Sequence, residues 1–191
     1  MRATNNSTGV VTAMVAPSTI YGRGRGPVNQ RSQQVPGMAE YMLHQGYAPK
    51  IGSGKQEWDN VHIADVSSAV VLLVDAAQDS AKSKDPEVFG PRAYYILGPA
   101  VHSWGQVAEW IAKAAYELGF MGEAKTETLT YEEVREKGGN HTWAANSKGV
   151  GERAAKYLGW KPQQKSLEEE IPATVLAEAE KLGIKATGHK H

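Results

Sequence analysis

The sequence predicts an α/β fold, and three observations carry that prediction. An apolar, β-branched run at residues 9–16 (GVVTAMVA) stops at Pro17 and has the pattern of a strand apolar on both faces, hence buried within a sheet. Farther on, Val66, Ala69, Val70, Leu73, Val74 and Ala77 fall at i, i+3, i+4, i+7, i+8 and i+11, one apolar helical face. Extended and helical segments then alternate to the end of the chain. With 191 residues, 41% of them hydrophobic, the chain can bury a real core. One domain over residues 1–191 is expected, with a flexible start at 1–8 and a loose tail at 186–191.

In chain order, the strand at 9–16 leads into residues 18–34, rich in Gly, Arg, Asn and Gln, which read as a long loop. A helix follows at about residues 35–44. Extended pieces at 47–51 and 58–63 flank the turn Gly52-Ser53-Gly54. The amphipathic helix then begins at Asp65 and runs to Ala77. Residues 81–91 are a polar linker, and 92–97 (RAYYIL) form another strand. Ser103 with Gln106 makes a capping-box pattern ahead of a second amphipathic helix ending at Gly119. A strand is expected at 125–130, and Thr130 with Glu133 caps a short helix. Residues 147–158 read as a helix stopped by Gly159 and Pro162. The last helix starts at Ser166, with Glu169 three residues on and Pro172 inside it.

Composition narrows the function classes. Twenty-one basic residues balance twenty-one acidic ones, so neither a nucleic acid nor a membrane surface is expected as partner. The absence of cysteine removes disulfides, thiolate metal sites and cysteine nucleophiles, and agrees with a reducing compartment. The first eight residues are polar, and no run approaches the ~18 apolar residues of a membrane span. The expectation is a soluble cytoplasmic protein.

Several residue groups have the right chemistry for a site. Gly22-Arg23-Gly24-Arg25-Gly26 follows a strand and could hold a phosphate with backbone amides and two guanidinium groups. Its spacing is not GxGxxG, and a flexible loop made permissive by glycine is the favoured reading. Ser53, His62 and His141 are the members available to a hydrolase, but Ile51-Gly52-Ser53-Gly54 lacks the pattern of a nucleophile elbow. His189 and His191 lie at a terminus without further ligands, so no metal site is expected. Trp104, Trp110, Trp143 and Trp160 read as packing residues.

Four segments, in order, resemble the extended short-chain dehydrogenase/reductases of the NAD-dependent epimerase/dehydratase family. Val15-Ala16-Pro17-Ser18-Thr19-Ile20-Tyr21-Gly22 resembles the strand-to-loop segment after the catalytic helix of those enzymes. Ile51-Gly52-Ser53-Gly54 through Trp58-Asp59-Asn60-Val61-His62-Ile63-Ala64-Asp65-Val66 is similar to their glycine turn, strand and helix start. Tyr95-Ile96-Leu97-Gly98 and the helix from Ser103 resemble the next strand and helix. Tyr157-Leu158-Gly159-Trp160-Lys161-Pro162 with Ser166-Leu167-Glu168-Glu169 resembles the closing signature.

The resemblance implies the carboxyl-terminal, substrate-side part of a Rossmann-like enzyme whose dinucleotide-binding half is absent, so NAD or NADP is expected only if that half is supplied. It places Pro17, Ser18, Thr19 and Ile20 against the nicotinamide end of the cofactor. It turns Tyr21, Arg23 and Arg25, with Trp58, Asp59 and His62, toward a small-molecule substrate. Sugar-nucleotide members carry an arginine just before the aspartate, where this chain has Trp58. Indole stacks but cannot neutralise phosphate, which favours a smaller or more apolar substrate. The family's chemistry uses a tyrosine with a lysine one helical turn later. Tyr157 and Lys161 match that spacing, but Gly159 and Pro162 break the helix between and after them, so no catalytic residue is assigned. An interior strand without its sheet exposes its edges, which implies a homo-oligomer or exchange of elements between copies. The alternatives are a non-catalytic binding or interaction module that keeps the fold, and, more remotely, the serine hydrolase.

Overall fold

The computed structural model describes residues 10–188; the polar start at 1–8 and the histidine-bearing end at 189–191 lie outside the described residues. The elements run β1 (Met14–Pro17), β2 (Thr19–Tyr21), α1 (Gln34–Gln45), β3 (Ala48–Ile51), β4 (Glu57–His62) and α2 (Ile63–Gln78). They continue with β5 (Tyr94–Leu97), β6 (Ala100–Ser103), α3 (Trp104–Glu117), β7 (Thr126–Leu129), α4 (Tyr131–Glu136), α5 (Glu152–Leu158) and α6 (Leu167–Leu182). This is the α/β class the sequence predicts, with its strands distributed over small sheets.

β1 pairs in parallel with β5, from Met14 opposite Tyr94 to Pro17 opposite Leu97. β4 lies between β2, parallel, and β6, antiparallel. β3 pairs in parallel with β7. Two apolar clusters hold these pieces. One gathers Met38 and Met42 of α1, Ile51 of β3, Trp104 and Ile111 of α3 and Ile171 and Val175 of α6 around Trp143. The other lies between the β1–β5 ribbon and helices α2 and α5, on Tyr95, Leu97, Ala154, Leu158 and Trp160.

The three predicted capping boxes form. Ser103, Thr130 and Ser166 each accept from the backbone N–H three residues on, and Gln106, Glu133 and Glu169 reach back to the cap. α6 runs unbroken through Pro172.

Several expectations are corrected. Of the run at 9–16, only Met14 onward is a strand, and it is half-buried; Gly9 lies outside the described residues, while Val10 and Val11 are exposed. Among the described residues this strand has β5 on one side only, so it is an edge strand and not one within a sheet. Residues 18–34 are not all loop: Thr19–Tyr21 form β2, three residues being too short for a period-two signal. β6, barely apolar, gives no strand pattern, yet it pairs with β4. α2 is capped by His62, whose side chain accepts from Ala64 N, and not by Asp65. Its predicted face is only partly covered: Ala69 is buried, but Val70 and Val74 are exposed, with Val71 beside them. The helix expected over 147–158 starts only at Glu152. Ser147 bridges to Trp58, and Gly151 passes so close to β5 that a Cβ there would lie 2.8 Å from Ile96 O, which keeps this stretch extended.

Candidate functional site

β2 and β4 run parallel, with Tyr21 opposite His62 at their carboxyl ends, the edge at which open α/β sheets present ligand sites. Beyond that edge lies a cleft of about 640 Å³, walled by the loop after β2 (Arg23, Gly24, Arg25, Gln30), the start of α2 (Ile63, Ala64, Ser67) and the approach to α6 (Gln164, Lys165, Glu170), with His62 at its base. A second cavity of about 360 Å³ adjoins it through Gly24, Gln30 and Ile63, and is lined by Ser18, Ile20 and residues 31–34. Both volumes lie in the range of small-molecule pockets.

His62 is fixed from both sides. Its Nδ1 accepts from Ala64 N at 3.1 Å, which puts the ring proton on Nε2. Nε2 lies 3.7 Å from Glu170 Oε1, and the ring stands edge-on to Tyr21, centroids 5.3 Å apart. The ring also presses on the backbone of Gly22, at φ +81°, where any Cβ would overlap it. Glycine here serves both the turn and the imidazole.

Asp65 builds the far wall. Buried in the first turn of α2, its carboxylate accepts from Gln163 N at 2.9 Å and Gln164 N at 3.2 Å. Trp160 Nε1 donates to Asp65 O and Ser68 Oγ. Tyr21 completes the join by donating to Lys165 O at 2.8 Å. Burial, with Asp65 and Glu170 nearby, pushes the Tyr21 phenol up to about 12, so it stays a donor under the wall. The near wall is clamped by Arg31, which donates to Glu178 Oε1 at 2.6 Å and Oε2 at 3.0 Å and to Glu40 Oε2 at 2.8 Å, tying the loop to α6 and α1. Within that loop, Arg23 Nε donates to Gln30 Oε1 and Gly24 N to Gln30 O.

The structure brings Arg23, Arg25 and His62 together in the cleft and sets Ser18 and Ile20 in the adjoining cavity. Thr19, between them, is buried with its Oγ1 unpartnered, and Pro17 is exposed at the end of β1. Trp58 and Asp59 line neither cavity. Trp58 Nε1 donates to Ala145 O and its ring packs on Trp104; Asp59, 3% exposed, accepts from Gly149 N. Both fasten residues 145–149 onto β4. Gln30, Gln164, Lys165 and Glu170 complete the cleft without having been singled out in sequence, since nothing local signals that residue 165 folds back onto Tyr21.

Other constellations come apart. α5 ends at Leu158 with Gly159 left-handed, so Tyr157 and Lys161 share no helical face; Tyr157 instead carries Arg153 over its ring at 4.5 Å. Among the described residues no hydrogen bond links Ser53, in an exposed turn, to His62 or His141. No group of three or more His, Asp or Glu side chains placed to hold a metal occurs among the described residues, and no helix among them is long and apolar enough to cross a membrane.

Residues 1–89 match the family model of the NAD dependent epimerase/dehydratase family. The chain is 34% identical over 181 residues to an Acremonium protein named oxidase ucsJ, covering 92% of this chain and 52% of that one. It superimposes on a Thermotoga maritima UDP-glucose 4-epimerase with UDP-glucose (TM-score 0.60, 20% identity, 92% of this chain, 48% of the other). It superimposes equally on a Streptomyces venezuelae dTDP-glucose 4,6-dehydratase with NAD bound (TM-score 0.60, 16% identity, 93% and 46%). The chain thus spans about half the length of these relatives.

Proposed function

We propose that this chain, whose first 89 residues match the family model of the NAD dependent epimerase/dehydratase family, is the substrate-binding, carboxyl-terminal portion of an NAD(P)-dependent epimerase, dehydratase or reductase-like enzyme. The observation that carries this reading is the pair of adjoining cavities at the carboxyl ends of β2 and β4, one walled by charged side chains and the other reached by Ser18 and Ile20.

NAD or NADP would exchange a hydride with the substrate. The residues fit one end of such a molecule: Ser18 and Ile20 face a cavity of about 360 Å³ that also holds the unpartnered hydroxyl of Ser32, with Pro17 and Thr19 flanking them. The rest of the dinucleotide and the proton-transferring pair would come from a second, cofactor-holding half. This chain's own work is then to bind and orient: His62 Nε2–H and the Arg23–Arg25 loop meet the substrate, Tyr21 and Asp65 hold the far wall, and Arg31 holds the near one. Absence of cysteine agrees with action in the cytoplasm.

Calorimetry tests the division. The chain alone should give no NAD or NADP heat, and binding should return when the complementary half of a relative is supplied in trans. Tight stoichiometric NAD binding by the chain alone would overturn the reading. The same reading includes self-association, because among the described residues β1 carries a ladder only on its β5 side. Light scattering behind size exclusion should find a dimer or larger species at tens of micromolar, and a clean monomer would count against it.

A further inference from the structure

We propose that the larger cleft takes a small acidic substrate, bearing a carboxylate or phosphate and no nucleobase; this rests on the reading above and names its substrate class. The cleft's charge is unlike that of the chain. Overall the sequence is neutral, with 21 basic and 21 acidic residues, whereas the lining of this cavity holds Arg23, Arg25 and Lys165 with Glu170; the Asp65 carboxylate lies behind the wall, bound to Gln163 N and Gln164 N. The cations are largely unspent. Among the described residues the side chains of Arg25 and Lys165 make no hydrogen bond or ion pair, Lys165 sensing only the Glu169 carboxylate already bound at the Ser166 cap, and Arg23 is engaged through Nε by the neutral Gln30 amide, leaving its terminal nitrogens to donate.

The neutral groups point the same way. His62 spends its acceptor nitrogen on Ala64 N, so only an N–H is left to offer the cavity. A ligand rich in acceptors and carrying negative charge satisfies these groups together. Glu170 is the acidic residue of the lining, suited to a hydroxyl.

The walls exclude a base. A nucleobase is held by stacking on a flat face. Apart from the His62 ring, already packed edge-on to Tyr21 and flat against Gly22, the cleft is lined by aliphatic, amide, hydroxyl and charged groups. Trp58, the indole the sequence offered for stacking, lines neither cavity and is bonded instead to Ala145 O. The acidic substrate is small, as expected from Trp58, but charged where Trp58 suggested an apolar one.

The test titrates the full chain with succinate, inorganic phosphate, uridine and UDP while following backbone amide resonances. Succinate and phosphate should shift the amides of residues 22–31 and 163–165, an effect weakened by salt. Uridine should leave them unmoved, and UDP should bind within about tenfold of phosphate. An Arg25→Ala/Lys165→Ala chain with unchanged circular dichroism should bind both anions at least about tenfold more weakly. Saturable uridine binding in the cleft, UDP binding beyond that tenfold margin, silence toward both anions, or undiminished binding by the double variant would each overturn the proposal. None of these outcomes alters the cofactor titration, so a failure here is distinguishable from a failure of the two-half reading.

Discussion

The contact between Gly22 and His62 carries the densest information in the molecule, because one backbone position serves the turn, the packing and the orientation of the imidazole. Gly22→Ala would both force an L side chain to φ +81° and push the His62 ring off its cap on α2. Its cost should be about 2–4 kcal/mol. Gly46, at φ +82° but with open space where a Cβ would go, is the control, and Gly46→Ala should lose only about 1 kcal/mol by urea denaturation. Equal losses would show that the ring contact contributes nothing. Asp65→Ala removes the acceptor of two backbone amides and should cost about 2–4 kcal/mol. It should also broaden the amide resonances of residues 163–165, because the far wall loses its anchor. At this scale the sequence was partly legible: Arg23, Arg25 and His62 stood out by type and position. Lys165 and Glu170 did not, since what brings them in is a contact between Tyr21 and a residue 144 positions later.

Among elements, those with a strong local signature formed where the sequence placed them. The capping boxes are self-contained, four residues stating both ends of a reciprocal bond pair. Ser166→Ala should therefore weaken α6 by about 1 kcal/mol, read as a lowered urea midpoint at unchanged m-value. The elements that escaped are those defined by partners. β2 exists because Asn60–His62 pair with it, β6 because β4 has a second edge, and residues 147–151 stay extended because glycines let them lie against Ile96. The open faces are informative too. Val70, Val71 and Val74 stand out of α2 and contribute little to the isolated fold. Val71→Lys with Val74→Lys should change stability by under about 0.5 kcal/mol. Denaturation in urea checks it, and a larger loss would mean that this face packs in the chain by itself.

For the molecule as a whole, acid is the sensitive direction. Burial holds the His102 imidazole down to about 4, against 6.5 for an exposed ring. The folded chain keeps it neutral while the unfolded chain takes up a proton, so stability is full above about 6.5 and falls as pH drops toward about 4, by about 3 kcal/mol in all. His102→Gln should flatten that acid limb in urea melts taken across this range; an unchanged slope would place the loss elsewhere. Fold class was readable from the chain because apolar periodicity is a local property, whereas the division into small sheets depends on pairings between distant segments. The Arg31 clamp follows from the same long-range logic and has a consequence in time. Its acceptor Glu178 is made 147 residues after Arg31, so until α6 is made and docked the loop bearing the cleft's two arginines is held only to Glu40 of α1. A nascent chain halted before that helix would hold its first strands with the mouth of its pocket only half fastened.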